Sequence, residues 1–178
     1  MKAAIFLCVA LCWSCSDNGA EDNFRGRWVV CEAATLYALE FSGNRMTSSA
    51  TTTAAGCSGD LRSESESSSE FLLGEEIVDD LFEIDVTNGM SSVTLYDQVL
   101  VDSANLINDG GYNDWVAGEP KDVSGRSTFF QTYPATGTIQ LGLISLEGNT
   151  GNLVRLGLSN SGEQRLTDIG QARLYTRE

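Results

Sequence analysis

The side chains that most often carry catalysis are scarce in this sequence of 178 residues. It contains no histidine, which excludes the Ser–His and Cys–His pairs that activate a nucleophile. A Ser–Lys pair would rest on Lys121, but the residue three positions earlier is Gly118 and not serine. We therefore predict no catalytic residues and a protein that is not an enzyme.

Acidic and amide side chains offer two other kinds of chemistry. Residues 75–76 and 79–80 are neighbouring carboxylates, the residue type that hydrolyses glycosides. Residues 108–110, with Asn113 and Asp114, gather oxygen ligands of the kind that bind Ca²⁺, although without EF-hand spacing. Both groups also have the composition of solvated turns, and we favour turns over catalysis or metal binding. The sequence thus predicts no metal and no cofactor.

The charge balance limits the partners that the surface can attract. The chain has 11 Lys and Arg residues against 25 Asp and Glu residues, for a formal net charge of −14 at pH 7. Such a surface disfavours nucleic acid and anionic lipid headgroups, because both carry charge of the same sign. A basic protein partner fits this charge, although solubility alone also explains it.

The elements that would position these residues have the pattern of short strands. Apolar and polar residues alternate in bursts that are separated by Gly, Asn, Ser and Asp. Two stretches, at residues 42–44 and at Asn88-Gly89, predict hairpin turns. The predicted strands are 27–33, 36–42, 45–53, 61–73, 81–87, 92–101, 137–146, 152–158 and 172–176.

About eight to ten short antiparallel strands indicate an all-β fold, either a barrel or a sandwich. We favour an up-and-down barrel, because closure removes exposed strand edges and few of these strands are charged enough to be left as edges. The Ser- and Glu-rich residues 63–70 are interpreted as a solvated edge or barrel-rim strand. Residues 102–136 are irregular and too long for a simple connection, so we expect them to pack over the barrel mouth.

The irregular segment also concentrates aromatic side chains. They are Tyr112, Trp115, Phe129, Phe130 and Tyr133. At the open end of a barrel, such side chains would line a pocket for a small apolar or amphipathic ligand. The alternative is a lid in which they pack as a second core. Both interpretations are open on the sequence alone.

The N-terminus resembles a bacterial lipoprotein signal. Lys2 supplies a positive charge, and residues 3–13 form an apolar run that is too short to span a bilayer. The stretch before Cys15 resembles a lipobox, in which the signal is cut before a cysteine that receives lipid. The resemblance implies a signal peptide at 1–14, a lipidated Cys15 with a polar tether over 15–23, and anchoring to a bacterial membrane. Ordinary cleavage that leaves Cys15 as a free thiol is the alternative.

The same resemblance implies a role for each of the five cysteines. Cys8 and Cys12 would leave with the signal and Cys15 would carry lipid, so that Cys31 and Cys57 remain as a pair. Export to an oxidising compartment favours a disulfide between these two. A zinc site is a poor alternative, because no histidine and no further cysteine remain as ligands.

A second resemblance lies at the first predicted strand. The Gly-Arg-Trp sequence at residues 26–28 resembles the Gly-x-Trp signature of lipocalins and related barrels. In those proteins the tryptophan closes one end of the barrel beneath an arginine from near the last strand. The resemblance implies this role for Trp28, with Arg173 or Arg177 stacked on its ring.

Most of the predicted domain also resembles a group of small bacterial lipoproteins of unassigned activity, through Trp28, the pair Cys31 and Cys57, and the C-terminal residues 174–177. We predict one barrel domain over residues 24–178, anchored by lipid at the outer membrane, on the periplasmic side or the cell surface. Its predicted function is to bind a small apolar or amphipathic ligand in the barrel mouth, without catalysis. The alternative is an acidic, inhibitor-like module for a basic periplasmic or extracellular protein.

Overall fold

A computed structural model describes residues 19–147, 153–159, 164–165, 167–170 and 172–178. The predicted signal peptide at 1–14 and the predicted lipidation site Cys15 lie outside these residues. Residues 19–23, the end of the predicted tether, form a short helix together with Phe24.

Two helices and nine strands make up the described chain. The helices are α1 (Gly19–Phe24) and α2 (Gln98–Ile107), and short 3-10 turns lie at Gly56–Ser58 and Asp109–Gly111. The strands are β1 (Gly26–Glu32), β2 (Thr35–Ser42), β3 (Arg45–Thr53), β4 (Leu61–Val78), β5 (Leu81–Leu95), β6 (Pro120–Asp122), β7 (Ile139–Glu147), β8 (Leu153–Leu158) and β9 (Leu174–Arg177).

Eight of these strands form a closed antiparallel barrel. Pairing runs in sequence from β1 through β5, then to β7, β8 and β9, and β9 returns to pair with β1. β6 is an additional strand that pairs with residues 92–94 in the last part of β5. The predicted all-β, up-and-down barrel is therefore confirmed.

The predicted hairpin at Asn88-Gly89 is wrong, because β5 runs through both residues without a turn. Gly89 and Met90 lie together opposite the single residue Ser68 of β4, which makes a β-bulge. A Cβ at Gly89 would lie 2.6 Å from the Ser68 carbonyl oxygen, so that only glycine allows this close approach. The glycine that suggested a turn between two strands instead serves a close contact within one long strand.

The predicted strand over 92–101 is wrong beyond Leu95, where α2 replaces it. Asp97 caps this helix, since its Oδ1 accepts a hydrogen bond from the backbone N–H of Val99 at 2.8 Å. Asn108 ends the helix in the left-handed conformation, with a φ of 53°. The apolar residues after Leu95 thus belong to a capped helix, and a capping side chain outweighs their strand preference.

Residues 63–70 form part of a strand, as predicted, but the interpretation of that strand as a solvated edge is wrong. They belong to β4, which pairs with β3 on one side and β5 on the other. Successive strand residues point to opposite faces, so the odd-numbered serines point inward and the glutamates outward. Ser63 and Ser69 are buried, whereas Glu66 and Glu70 are exposed. The low hydrophobicity of this stretch reflects a polar barrel interior and not a solvated edge.

Large apolar side chains fill one end of the barrel, which we call the floor. Its buried residues include Phe24, Trp28, Phe41, Phe71, Ile84, Val86 and Ile144. The Phe24 ring meets the Phe82 ring edge-on at 5.8 Å and the Phe41 ring at 6.3 Å. Helix α1 therefore places an aromatic plug beneath the strands.

A second core lies beside the other end, in the region of α2 and the irregular segment. We call it the lid core, and its buried residues are Val93, Leu95, Val101, Ala104, Trp115, Val123 and Tyr133. Two of these residues come from β5, so the lid core is joined to the barrel wall. The structure thus has one core inside the barrel and another that supports its mouth.

Candidate functional site: a cavity in the barrel

Above the floor, the barrel interior contains a cavity of about 420 Å³ that is partly open to solvent. Small polar side chains from the middle strands line part of it, namely Ser48, Ser65, Ser67, Ser69, Asn88 and Gln140. Larger side chains line the remainder, among them Tyr37, Leu156, Leu158, Arg173 and Tyr175. The volume lies within the range of small-molecule sites, which is about 300 to 1,000 Å³.

The two kinds of lining occupy opposite walls. β4 supplies three of the serines, and β9 supplies Tyr175. Counting in either direction, four steps separate β4 from β9 in the eight-stranded barrel, so the two strands face each other across it. Leu156 and Leu158, from β8, extend the wall of β9. The cavity therefore has a hydroxyl wall on β3 and β4 and an apolar, aromatic wall on β8 and β9.

Arg173 is the charged residue of the cavity lining, and its charge is matched. Its Nε donates to Oε2 of Glu32 at 2.9 Å. Its guanidinium carbon lies 3.6 Å from the centre of the Tyr37 ring, which gives a cation–π contact. Burial raises the pKa of the neighbouring Tyr175 hydroxyl, and Arg173 lowers it in part. The cavity thus carries no unbalanced charge at this position.

A smaller cavity of about 150 Å³ adjoins the first one near the strand ends. The two share Tyr37, Ala50, Ser65, Gln131 and Tyr133 in their linings. The smaller one is further bounded by Thr35, Thr52, Ser63, Glu64 and Val93 of the barrel and by Phe130 of the irregular segment. Residues 130–133 therefore lie over the barrel interior, where the sequence places the mouth.

The five aromatic residues predicted to line a ligand pocket separate into two groups. Tyr133 borders both cavities and Phe130 borders the smaller one. Phe129 is 43% exposed and packs on Phe130, with 4.1 Å between ring centres. Trp115 is only 2% exposed and belongs to the lid core, where its ring meets that of Tyr112 edge-on at 5.9 Å. Lid packing and cavity lining thus both occur, and Tyr133 takes part in both.

Two buried polar atoms of the lid have no hydrogen-bond partner among the described residues. The first is the Tyr133 hydroxyl, in a side chain that is 2% exposed. Ser65 and Gln131 lie near enough to favour its ionised form, but burial raises its pKa overall. Neither neighbour makes a hydrogen bond of normal geometry with it. This hydroxyl is therefore buried and unpartnered in a residue that borders both cavities.

The second is the Oδ2 atom of Asp109. The other carboxylate oxygen of Asp109 accepts a hydrogen bond from the backbone N–H of Phe129 at 2.7 Å. The Asp109 carbonyl accepts one from Nε1 of Trp115 at 3.1 Å. Burial raises the pKa of Asp109, and hydrogen bonds from the Phe129 and Gly110 backbone lower it in part. Asp109 thus joins the start of the irregular segment to its aromatic tip.

The acidic groups considered in the sequence do not converge. Asp114 pairs with Lys121 at 3.1 Å, and Asp109 is held by the lid. Residues 75–76 belong to β4 and residues 79–80 to the exposed turn after it. In the part of the chain that the structure describes, no three Asp, Glu or Cys side chains come together as a metal site.

Trp28 lies at the floor, and Arg177 is the arginine beside it. The guanidinium carbon of Arg177 is 4.6 Å from the Trp28 ring centre. Its Nη2 also donates to the carbonyl oxygens of Asn23 at 2.9 Å and Arg25 at 2.8 Å. Trp28 Nε1 donates to the Phe24 carbonyl at 2.7 Å. Of the two predicted arginines, Arg177 therefore takes the floor position and Arg173 lies at the cavity.

The predicted disulfide between Cys31 and Cys57 is confirmed, with 5.9 Å between the Cα atoms. Cys31 lies near the end of β1, and Cys57 lies in the 3-10 turn between β3 and β4. Both positions are at the cavity end of the barrel, away from Trp28. The covalent link thus joins strand ends where the barrel interior is hollow.

The sequence analysis missed the cavity-lining serines of β3 and β4. The alternation Ser-Glu-Ser-Glu-Ser at residues 63–67 contains the signal, since a period of two is that of a strand with two different faces. The pattern does not say which face lies inside, because serine and glutamate are both polar. Only the position of β4 between two other strands decides that the serines point inward.

Comparison with known proteins adds no relative from which a role could be transferred. No protein-family model matches this sequence, and no curated protein matches it at a significant level. Separately, no helix among residues 19–147, 153–159 and the short described stretches beyond is both long and apolar enough to cross a membrane.

Proposed function

We propose that this protein is a binding barrel that holds one small amphipathic molecule in its interior cavity. The observation that carries the proposal is the pair of unlike walls, with serines on β3 and β4 facing Tyr175, Leu156 and Leu158. A purely structural barrel of this size is filled by its own side chains, as the floor is here. A ligand with one polar side and one apolar side satisfies both walls.

The irregular segment over the barrel mouth offers a route by which a ligand would enter the cavity. Phe130 and Gln131 border the smaller cavity, and Phe129 and Phe130 are partly exposed to solvent. An exposed pair of aromatic rings offers an apolar surface to an arriving molecule. We therefore expect entry beside residues 129–131. Tyr133, deeper in the same segment, would meet the ligand after Gln131.

We propose binding without catalysis. The sequence has no histidine, and the cavity lining contains a paired Arg173 and neutral hydroxyl and amide groups. None of these is arranged as a nucleophile beside a base. Orientation by hydrogen bonds and apolar contact is the chemistry that these side chains supply.

The test uses N-phenyl-1-naphthylamine, an uncharged dye that fluoresces in apolar surroundings. We expect the full-length chain to bind one dye molecule, and Ser65→Leu to reduce the affinity at least about tenfold, because the new side chain enters the cavity. Ser68→Leu is the matched control: Ser68 lies on the same strand but is exposed on its outer face. Equal loss of binding in both variants, or no binding by the unaltered chain, would refute the proposal.

Native mass spectrometry gives an independent measurement. The protein is purified from its own host under mild conditions and its mass is compared with that of Ser65→Leu prepared in the same way. We expect an added small molecule on the unaltered protein that is absent from the variant. Preparations that carry the same mass, with and without the substitution, would contradict an interior site.

We also propose that residues 1–14 are a signal peptide and that Cys15 anchors the barrel to a bacterial membrane by lipid. The support is the sequence resemblance described above. Metabolic labelling with an alkyne-bearing fatty acid tests this. Incorporation that is lost in Cys15→Ala is expected; labelling that persists in this variant would exclude Cys15 as the site.

A second candidate function is an acidic module that binds a basic protein. The outer face of β4 favours it, because Glu64, Glu66 and Glu70 point outward along one strand. Contacts of this kind weaken as salt screens the charges, over a Debye length of about 8 Å at physiological ionic strength. A pulldown from the host's exported fraction should then lose its partner at about 0.5 M salt, and a partner retained unchanged would refute a charge-driven contact.

A further inference from the structure

We propose that the group held in the cavity is uncharged and rich in hydroxyls, such as a sugar ring, and that Tyr133 forms a hydrogen bond with it. This inference rests on the proposed function and specifies its ligand. Three features of the cavity point to it: the balance of charge, the mixture of donors and acceptors, and the unpartnered Tyr133 hydroxyl.

The balance of charge disfavours an ionic ligand. In the larger cavity, as far as the chain is described, the charged lining residue is Arg173, and Glu32 already pairs with it. Its guanidinium face is covered by the Tyr37 ring at 3.6 Å. A carboxylate, phosphate or ammonium group on the ligand would lose its water without gaining an opposite charge, which is costly. An uncharged ligand avoids that cost.

The hydroxyl wall suits a ligand that both donates and accepts hydrogen bonds. Each serine hydroxyl offers one donor and two acceptor positions. The wall combines Ser48, Ser65, Ser67 and Ser69, and Ser67 already shares a 2.8 Å hydrogen bond with Ser91. Ligand hydroxyls can complete such a network in either direction, whereas an ether or alkyl chain cannot. The wall therefore matches a polyhydroxylated group better than a fatty chain.

Tyr133 supplies the most specific observation. Its hydroxyl is buried and has no partner of normal geometry among the described residues. A buried polar group without a partner destabilises the folded state. The Ser65 and Gln131 side chains lie beside it, and both border the cavity. A ligand hydroxyl at this position would remove the cost, so the empty cavity is prepared for a polar group beneath the lid.

The opposite wall accounts for the other side of such a ligand. A sugar ring presents C–H groups on its faces and hydroxyls on its edges, and the C–H face packs on aromatic and aliphatic side chains. Tyr175, Leu156 and Leu158 provide that surface. A cavity of about 420 Å³ has room for one ring with a short apolar substituent.

The experiment compares three probes that have alkyl chains of nearly equal length and differ in the headgroup. They are octyl β-glucoside, octanoate and octyltrimethylammonium, each used below its micelle concentration. Affinity is measured by displacement of N-phenyl-1-naphthylamine from the full-length chain. We expect octyl glucoside to bind at least about tenfold more tightly than either ionic probe.

Tyr133→Phe removes the hydroxyl and leaves the ring. We expect it to weaken octyl glucoside about tenfold while dye binding stays unchanged, because the dye needs no hydrogen bond there. Tyr96→Phe is the matched control, since the Tyr96 hydroxyl contacts Glu64 at 3.3 Å and does not border the cavity. It should leave the affinity for both molecules unchanged.

The outcomes separate this inference from the proposed function. Dye binding with octanoate or the ammonium probe bound as tightly as the glucoside would overturn the uncharged, hydroxyl-rich ligand but keep the binding barrel. A glucoside affinity that does not change in Tyr133→Phe would overturn the role of Tyr133. No dye binding at all would overturn the proposed function and, with it, this inference.

Discussion

The two halves of the barrel interior differ although the same strands build both. At the floor, Phe41 of β2 and Phe71 of β4 point inward and meet edge-on at 5.3 Å. Toward the mouth, the inward residues of β3 and β4 are serines, and a cavity opens between the walls. Antiparallel pairing continues along the barrel, although the bulge at Gly89 and Met90 shifts the alternation of β5. The inward side chains are large in the solid half and small in the hollow half.

The change can be followed along β4 itself. Its inward positions are Ser63, Ser65, Ser67 and Ser69, and then Phe71. Burial of large apolar side chains is the main favourable term in folding, so the floor should carry most of the stability. The hollow half contributes less packing and has polar side chains around a cavity. The packing expected to stabilise the fold and the cavity proposed to bind a ligand are therefore separated along the barrel axis.

The largest expected effect comes from removing the centre of the floor. Trp28→Ala should lower the free energy of unfolding by about 3 to 5 kcal/mol, because it leaves a cavity and unpairs the Phe24 carbonyl. Ser69→Ala, in the hollow half, should cost less than about 1 kcal/mol. Urea denaturation measures both. Similar losses in the two variants would show that the halves do not differ in their contribution to stability.

The disulfide should have the next largest effect, since it lies where packing is weakest. Cys31 and Cys57 are 26 residues apart, and closing such a loop stabilises by about 3 to 4 kcal/mol in the chain-entropy model. The double variant Cys31→Ala/Cys57→Ala should lose this amount in urea denaturation. The unaltered protein treated with a reducing agent is the control and should lose a similar amount of stability. A urea midpoint that does not change would show that the lid core, and not the disulfide, stabilises the hollow end.

Two arginines are stacked on aromatic rings, one at the floor and one at the cavity. Substituting each of them compares the two ends of the barrel. Arg177→Lys should cost about 1 to 2 kcal/mol, because it removes the stacking on Trp28 and the hydrogen bonds to the carbonyls of Asn23 and Arg25. Arg173→Lys should cost less than about 1 kcal/mol, as its ion pair with Glu32 is partly exposed. Thermal unfolding of both variants measures the difference, and a larger loss at Arg173 would reverse the comparison.

The smallest effect is expected at the lid and depends on pH. Burial raises the pKa of Asp109 in the folded state, so the folded protein favours the protonated carboxyl. Stability from this group is then greatest below the ordinary aspartate pKa and falls as pH rises through the folded-state pKa. Asp109→Asn should therefore gain relative stability from pH 4 to pH 8. A pH-independent difference between variant and unaltered protein would show that Asp109 stays ionised.

Much of the fold could be predicted because local patterns agreed with it. β3 was predicted with both of its ends correct, and the turn between β2 and β3 follows the Ser-Gly-Asn signal. The wrong predictions lie where the local sequence is compatible with two different structures. Gly89 permits a bulge as readily as a turn, and the apolar run from Val99 suits a helix once Asp97 caps it. Local preference is the same in both cases, and pairing with distant strands decides.

The candidate site could be predicted only in part. Phe130 and Tyr133 were expected at a cavity and border one. Trp115 has the same aromatic character, but it packs in the lid core because α2 and β5 surround it. The serines were interpreted as solvated, since composition cannot distinguish a hydroxyl facing water from a hydroxyl facing a cavity.

By itself, the sequence predicted an antiparallel all-β domain, favoured a barrel over a sandwich, and left Cys31 and Cys57 as a pair once the other cysteines were assigned by resemblance. Alternation and cysteine number depend on short-range order along the chain, so they can be read without coordinates. Only the tertiary structure decided that β4 faces β9 across the barrel. It also decided that the barrel interior between floor and mouth is hollow. That arrangement depends on how strands far apart in sequence meet, because a cavity belongs to no single segment of the chain.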